Sequence, residues 1–438
     1  MHQLLQLGST VHSTSGHPHT VETYLGGGGQ GEVYRAQLSG RAIALKWYFP
    51  EQATQAQRQN LETLMDKGPP NGQFLWPMEL VAAHGVAGFG YIMPLRDPRY
   101  KSIVDLMKRR IEPSFHSLAT AGFQLAQAFL ELHAKGLCYR DISFGNVFFD
   151  PDAGDIQICD NDNVAVDGQG NGGVLGTPRF IAPEVVRGDS QPNTQTDLFS
   201  LSVLLFYLFH IHHPLEGRRE SNIKCFDLPA MTELYGTNPL FIFDPADASN
   251  RPVPGIHNNA LEYWPLYPQH LRDLFTQAFT VGLHDPNARV RESQWRAALV
   301  QLRDALLYCG SCGSENFYDG DALRSSGGQP GLCWACQKAL ALPFRLRLDR
   351  QVVMLNHNTH LFPHHLDQRR RYDLTQPWAA VQRHPQNPDI WGLKNLSPAK
   401  WVTTAPDGTI RDVEQGRSVS LAAGVKVNFG SVEGEVRF

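Results

Sequence analysis

The chain has little of what would place it in a membrane, a disulfide framework or a nucleic-acid complex. No apolar run reaches the roughly 18 residues that a membrane helix needs. The longest candidate, 198–211, is broken by Ser200, Ser202 and His210. The opening Met1-His2-Gln3-Leu4-Leu5 lacks a cationic region followed by an apolar core, so no signal peptide is expected. A formal charge of −4, from 39 basic and 43 acidic side chains, gives no footprint for nucleic acid. There are only seven cysteines, two C-x-x-C pairs and three singles. That usage favours a reducing compartment and a metal site over disulfides. The expected location is cytoplasmic.

What is present is ordinary in bulk and specific in pattern. The 42% hydrophobic and 19% charged content is that of a globular protein, and 438 residues suggest two or three domains. The most informative stretch runs from Cys138 to Asp160. An Arg140-Asp141 pair is followed five residues later by Asn146, then by an apolar segment ending in Asp160. Phosphoryl transfer needs a carboxylate to accept a hydroxyl proton and oxygen ligands for magnesium. Asp141 suits the first task, and Asn146 and Asp160 the second. Upstream, Gly26, Gly28 and Gly31 fit G-x-G-x-x-G, with Val33 at the next apolar position. The strand pattern Ala42-Ile43-Ala44-Leu45-Lys46 follows about fifteen residues later. A strand after the glycines, rather than a helix, separates this from a dinucleotide fingerprint. A helix is expected over 51–67, ended by Gly68. Its Glu62 is the expected partner of Lys46; Glu51 is the alternative but lies too soon after the strand.

Further landmarks occur in order: Ala182-Pro183-Glu184, the apolar helix opened by Asp197, and Asp285-Pro286-Asn287-Ala288-Arg289, whose Arg289 is expected to pair with Glu184. Residues of about 20–307 thus resemble a eukaryotic-type bacterial Ser/Thr protein kinase. The resemblance implies a bilobal α+β fold within 1–307, with an N-lobe at about 20–95 and a C-lobe at about 96–307. The segment 217–268 reads as an irregular insert. By resemblance, Asp141, Lys46, Glu62, Asn146 and Asp160 are catalytic. Gly26, Gly28, Gly31, Val33, Ala44, Lys46, Met93, Pro94 and Arg96 would bind ATP, with Met93 behind the adenine. Asn146 and Asp160 would hold Mg2+. Three departures stand out. Tyr139 replaces a His, Ser143 replaces a Lys, and Asp160-Asn161-Asp162 replaces Asp-Phe-Gly. The rival reading is a nucleotide-binding pseudokinase scaffold acting through its C-terminal domains; a small-molecule kinase is a third.

The stretch Asn161 to Gly176 contains no Ser, Thr or Tyr. Arg140 therefore has no phosphorylated partner there, and Asp162 or Asp167 is the expected fixed counter-charge. Thr177 is expected to make a hydrogen bond rather than carry phosphate.

Beyond the kinase-like part, Cys309, Cys312, Cys333 and Cys336 have zinc-ribbon spacing over 308–337. Buried free thiols or two local disulfides are the alternative. From 338 to 438, short apolar alternations between turns predict an all-β, sandwich-like interaction domain. Its Trp391–Ser397 run and Gly424–Gly430 ending resemble forkhead-associated domains, without the phosphothreonine-gripping Arg and Ser. His357, His360, His364 and His365 suggest a metal site or solvated loop histidines; the second is expected. The whole combination resembles kinases of bacterial phosphorylation triads. That resemblance implies protein substrates and, as partners, a metal-dependent protein phosphatase and a von Willebrand factor A protein.

Overall fold

The computed structural model describes residues 4–168, 176–349 and 351–438. Two compact units emerge. The first comprises 1–264 with 273–296, the second 265–272 with 297–438.

The first unit opens with a closed barrel of six antiparallel strands: β1 Thr10–Ser13, β2 Pro18–Gly27, β3 Gly31–Leu38, β4 Arg41–Tyr48, β5 Glu79–Ala83 and β6 Gly90–Pro94. Pairing of Val11 with Ala83 closes it. The barrel therefore begins earlier than the boundary near residue 20 expected for the N-lobe. The two-residue period of β4 divides its side chains between two cores. Ile43, Leu45 and Trp47 join Val11, Val21 and Tyr34. Ala44 and Tyr48 join Leu61, Leu80, Tyr91 and Met93. Lys46 falls on the second face by the same alternation.

Helix α1, Gln55–Lys67, covers that second face with Leu61 and Leu64. Thr54 caps its start and Gly68, at φ 66°, its end. Glu51 stays outside the helix in the preceding turn.

The remainder of the unit is largely helical. The helices Phe115–Ala134 and Thr194–His210 form its centre, and the second is buried from Thr196 to His210. The hairpin Val147–Phe149 with Ile156–Ile158 joins the loop of Asp141 and Asn146 to Asp160. Segment 217–264 is more ordered than an irregular insert. It contains short helices at Arg218–Ser221, Leu228–Thr232 and Asn258–Tyr263. It also supplies Phe241 and Trp264 to an aromatic cluster on Phe206.

In the second unit, a hairpin pairs Leu306–Tyr308 with Glu315–Phe317. A six-stranded and a four-stranded antiparallel sheet follow. They share one core around Leu346, Leu393, Trp401, Val427 and Val436. The cysteine segment is not a separate body. Cys309 and Cys333 share a core with Leu307, Leu340 and Met354.

Candidate active site

Lys46 is 5% exposed, so its ammonium needs buried partners. Asp162 supplies them, with Oδ2 at 2.8 Å and Oδ1 at 3.0 Å. Asp160 Oδ1 stands at 3.6 Å, and Gln30 Oε1 accepts at 3.1 Å. Burial lowers the Lys46 pKa, but Asp162 and Asp160 outweigh it and the net shift is upward. Burial likewise raises Asp162, and Lys46 turns the net downward.

The expected Lys46–Glu62 pair does not form. Glu62 is half exposed and pairs with Arg58 at 3.1 Å. The reason is helical phase. One residue beyond buried Leu61 is about 100° around the helix, which turns Glu62 to solvent. The polar residues that α1 turns toward Asp162 are amides. Gln57 Nε2 donates to the Tyr48 hydroxyl at 3.0 Å and to the Asp162 carbonyl at 3.2 Å. Asn60 Nδ2 donates to the carbonyls of Asp162 and Val164. Sequence reasoning noticed the Phe lost from Asp160-Asn161-Asp162 but not what the gained acid does. The available signal was an acid two residues beyond Asp160.

The loop that carries Asp141 hangs from Asp197. Its carboxylate accepts from the Tyr139 and Arg140 amides. Tyr139 is fully buried, and its hydroxyl donates to the Cys159 carbonyl just before Asp160. Cys159 N in turn donates to the Asn146 carbonyl at 2.8 Å, tying the Asp160 strand to the loop. Asn161 takes the place of an apolar ring. Its Nδ2 donates to the carbonyls of Leu75 and Ile158. Ser143, where the resemblance leads one to expect Lys, is buried.

Asp141 is surrounded by donors. Thr177 Oγ1 donates to Oδ1 at 2.6 Å, and Asn146 and Asn163 amides donate to Oδ2 at 3.2 and 3.3 Å. Burial raises its pKa, and the Thr177 and Asn146 bonds pull against that. Asp160 is also raised. Burial is the main cause, and Asp162 and Asp141 add to it against Lys46. Two carboxylates thus stand beside one ammonium, Asp162 at 2.8 Å and Asp160 at 3.6 Å, and the 39% exposed Asp160 side chain is the one open to an added divalent cation.

Neither expected counter-charge reaches Arg140. Its Nε donates to the Asn163 carbonyl at 2.6 Å. Asp162 is engaged by Lys46, and Asp167 accepts from the Thr194 amide and hydroxyl. Part of the stretch without hydroxyls, 169–175, lies outside the described residues.

At Gly31 an added Cβ would stand 2.2 Å from the Trp47 carbonyl oxygen, so packing demands glycine. At Gly26 and Gly28 it would meet nothing within 4 Å, so packing makes no such demand. Met93 pairs across from Ala44 and is buried beside it, with Val33 packed on the same core. Pro94 pairs with Ile43 at the end of β6, and Arg96 lies over the Phe148 ring. The Arg289 guanidinium grips Glu184 at 2.7 and 2.8 Å.

Residues 97–290 match the protein kinase domain family model. The barrel with Lys46 lies before that match. Across 379 residues the chain is 27% identical to the DNA damage-responsive serine/threonine-protein kinase RqkA of Deinococcus radiodurans, covering 74% of this chain and 52% of that protein. It is 29% identical over 202 residues to serine/threonine-protein kinase PknK of Mycobacterium bovis, covering 44% of this chain and 18% of that protein. The chain thus spans about half the length of the first relative and less of the second.

In the second unit, the sulfurs of Cys309, Cys312, Cys333 and Cys336 all lie within 4.8 Å of one another. Cys309–Cys336 and Cys312–Cys333 separations are both 3.7 Å. All four thiols are free, so no disulfide forms among them. A tetrahedron of sulfurs about 2.3 Å from zinc has edges of about 3.8 Å. Each pair sits on a similar knuckle. The Gly313 and Gln337 amides donate to the Cys309 and Cys333 carbonyls, both from left-handed residues.

His364 and His365 gather with Asp304 in the same unit. His365 is buried, contrary to a solvated loop, whereas His357 and His360 are exposed. The pair does not suit a metal. His365 Nδ1 accepts from the Phe362 amide, so Nε2 carries the proton toward Asp304 at 3.0 Å. His364 Nδ1 accepts from the Tyr372 amide, so its Nε2 is protonated as well. No helix among the described residues is long and apolar enough to cross a membrane.

Proposed function

We propose that this chain is an ATP- and magnesium-dependent Ser/Thr protein kinase. The observation that carries the reading is the convergence of Lys46, Asp141, Asn146 and Asp160 in one unit, with Lys46 held by acid and Asp141 held by amides and Thr177. Asp141 accepts the substrate hydroxyl proton as the new bond forms, a role for which a raised pKa suits it. Lys46 binds phosphate oxygens, and Asn146 and Asp160 are the magnesium ligands. Magnesium, when bound, offsets phosphate charge in the transition state. Gly26, Gly28 and Gly31 bring main chain to the phosphates. Met93 backs the adenine, against which Val33 and Ala44 pack. The Pro94 carbonyl and the Arg96 amide contact its edge.

The four cysteines hold one structural zinc, and the C-terminal sandwich is an interaction module of forkhead-associated type. Protein substrates, and a metal-dependent phosphatase and a von Willebrand factor A protein as partners, belong to the same proposal, as does a cytoplasmic location. The relatives' names support the Ser/Thr kinase reading over the scaffold alternative.

The test is transfer of radiolabelled phosphate from ATP to the chain itself and to a generic protein substrate. Asp141→Asn should lower kcat by about 10²–10⁴-fold, the usual worth of a general base. Asp160→Ala should abolish transfer. Full activity in both variants, or none in the wild type under any condition, overturns the reading.

A further inference from the structure

We infer that Asp162, and not an acid of helix α1, is the residue that positions Lys46 for phosphate binding. This rests on the kinase reading and deepens it. The carboxylate makes two bonds to the Lys46 ammonium and accepts a third from the Tyr48 hydroxyl at 2.6 Å. Asp162 is 0% exposed, so neither member of the pair is competing with water for its partner. No acid of α1 reaches this ammonium: Glu62 points outward to Arg58. What α1 contributes is neutral. Gln57 and Asn60 grip the main chain of Asp162, and Gln57 also supports Tyr48.

The arrangement follows from Asp160-Asn161-Asp162 as a unit. Asn161 ties the segment to the Leu75 and Ile158 carbonyls. Asp162 then meets Lys46 with one carboxylate, while Asp160 stays at 3.6 Å. This division of labour matters for the chemistry. A buried ammonium takes whatever carboxylate is nearest. Without Asp162, Lys46 draws Asp160 in and removes it from the metal. With Asp162 present, the same short turn supplies one acid for Lys46 and another for the cation. Both carboxylate and ammonium lie outside α1, which meets Asp162 only through the neutral amides of Gln57 and Asn60.

The experiment uses the full chain and measures kcat and KM for ATP, with thermal unfolding to confirm folding. Asp162→Asn should lower kcat by about 100-fold or more, as expected when a phosphate-binding group is misplaced. Glu62→Ala should stay within threefold of wild type. The double variant Asp162→Asn/Gln57→Glu returns a carboxylate to the Tyr48 hydroxyl from α1, and should recover at least tenfold of the loss. A purely structural role for Asp162 would not respond to relocating its charge. If Asp162→Asn does not fold, the double variant and Glu62→Ala decide. A folded but inactive double variant, or a large loss in Glu62→Ala, overturns the inference. So does Asp162→Asn with wild-type or raised activity, the second of which would mark Asp162 as a plug. An inactive wild type instead overturns the kinase reading itself.

Discussion

Asp141 shows how much of this site is set by single hydrogen bonds. Burial pushes its pKa up, and Thr177 is the leading bond that holds it down. Thr177→Val keeps the shape and removes the hydroxyl. Its loss lets the Asp141 pKa rise further, so the acid limb of the rate profile moves to higher pH. The kcat should fall about tenfold, near the worth of one hydrogen bond to a charged group. A pH–rate profile checks this; an unmoved acid limb would disprove the coupling. At this scale the sequence is only partly legible. Asp141, Asn146, Asp160 and Lys46 stand in an ordered pattern that chemistry can read. The partner of Lys46 cannot be read the same way, because spacing along a helix does not give its phase against a barrel. Glu62 has the right distance from Lys46 in sequence and the wrong face in space. The Tyr139 hydroxyl on Cys159, and the amides of Gln57, Asn60 and Asn163, carry no pattern at all; only the fold brings them to the site.

Helices and strands were more legible than their charges. The period of β4, the Gly68 stop of α1 and the apolar helix at Asp197 follow from residue type and spacing, although that helix opens earlier, at Thr194 behind the Asn193 cap. The ion clusters between helices do not. His133, on the helix Phe115–Ala134, sits between Asp197 on the buried helix and Glu292. Burial opposes its charge, but the two carboxylates win and raise its pKa from 6.5 to about 9. The sign follows. Unfolded His133 releases its proton near 6.5, folded His133 near 9. The stabilisation is complete below 6.5 and is lost as pH rises toward 9, a change on the order of 3 kcal/mol. Glu292, which is depressed, acts at the other end and loses its contribution only in acid. Urea unfolding of the first unit should therefore show stability falling from pH 6.5 to 9 in the wild type. His133→Gln should be less stable at pH 6.5 and flatter across that range. Parallel slopes for the two proteins would remove His133 as the cause.

For the whole chain, the spacing of four cysteines predicts a ribbon with its own boundaries, 308–337, and the apolar alternations beyond it predict a separate β domain over 338–438. The structure divides the chain differently, because burial and not motif decides what folds together. Leu307, Cys309, Cys333, Leu340 and Met354 are one core. The Asn356 amide donates to the Leu306 carbonyl, and Asp304 is bonded to His365 and Gln351. The cysteine knuckles therefore share their apolar contacts with the strand Gln351–Met354 at the edge of the six-stranded sheet. A metal held by these thiolates contributes folding energy to whatever shares that core. Elemental analysis should give about one zinc per chain, as a single tetrahedral thiolate site requires. Chelation, or Cys333→Ser, should then raise hydrogen exchange not only in 308–337 but also in 304–307 and 351–356. Strands remote from that core, such as Trp401–Thr404 around Trp401, should change least. ATP affinity should hold, since Lys46 and its partners all belong to the first unit. Exchange confined to 308–337 would show the ribbon to be independent after all. Protein purified without chelators and free of metal would show that the four thiols pack without one.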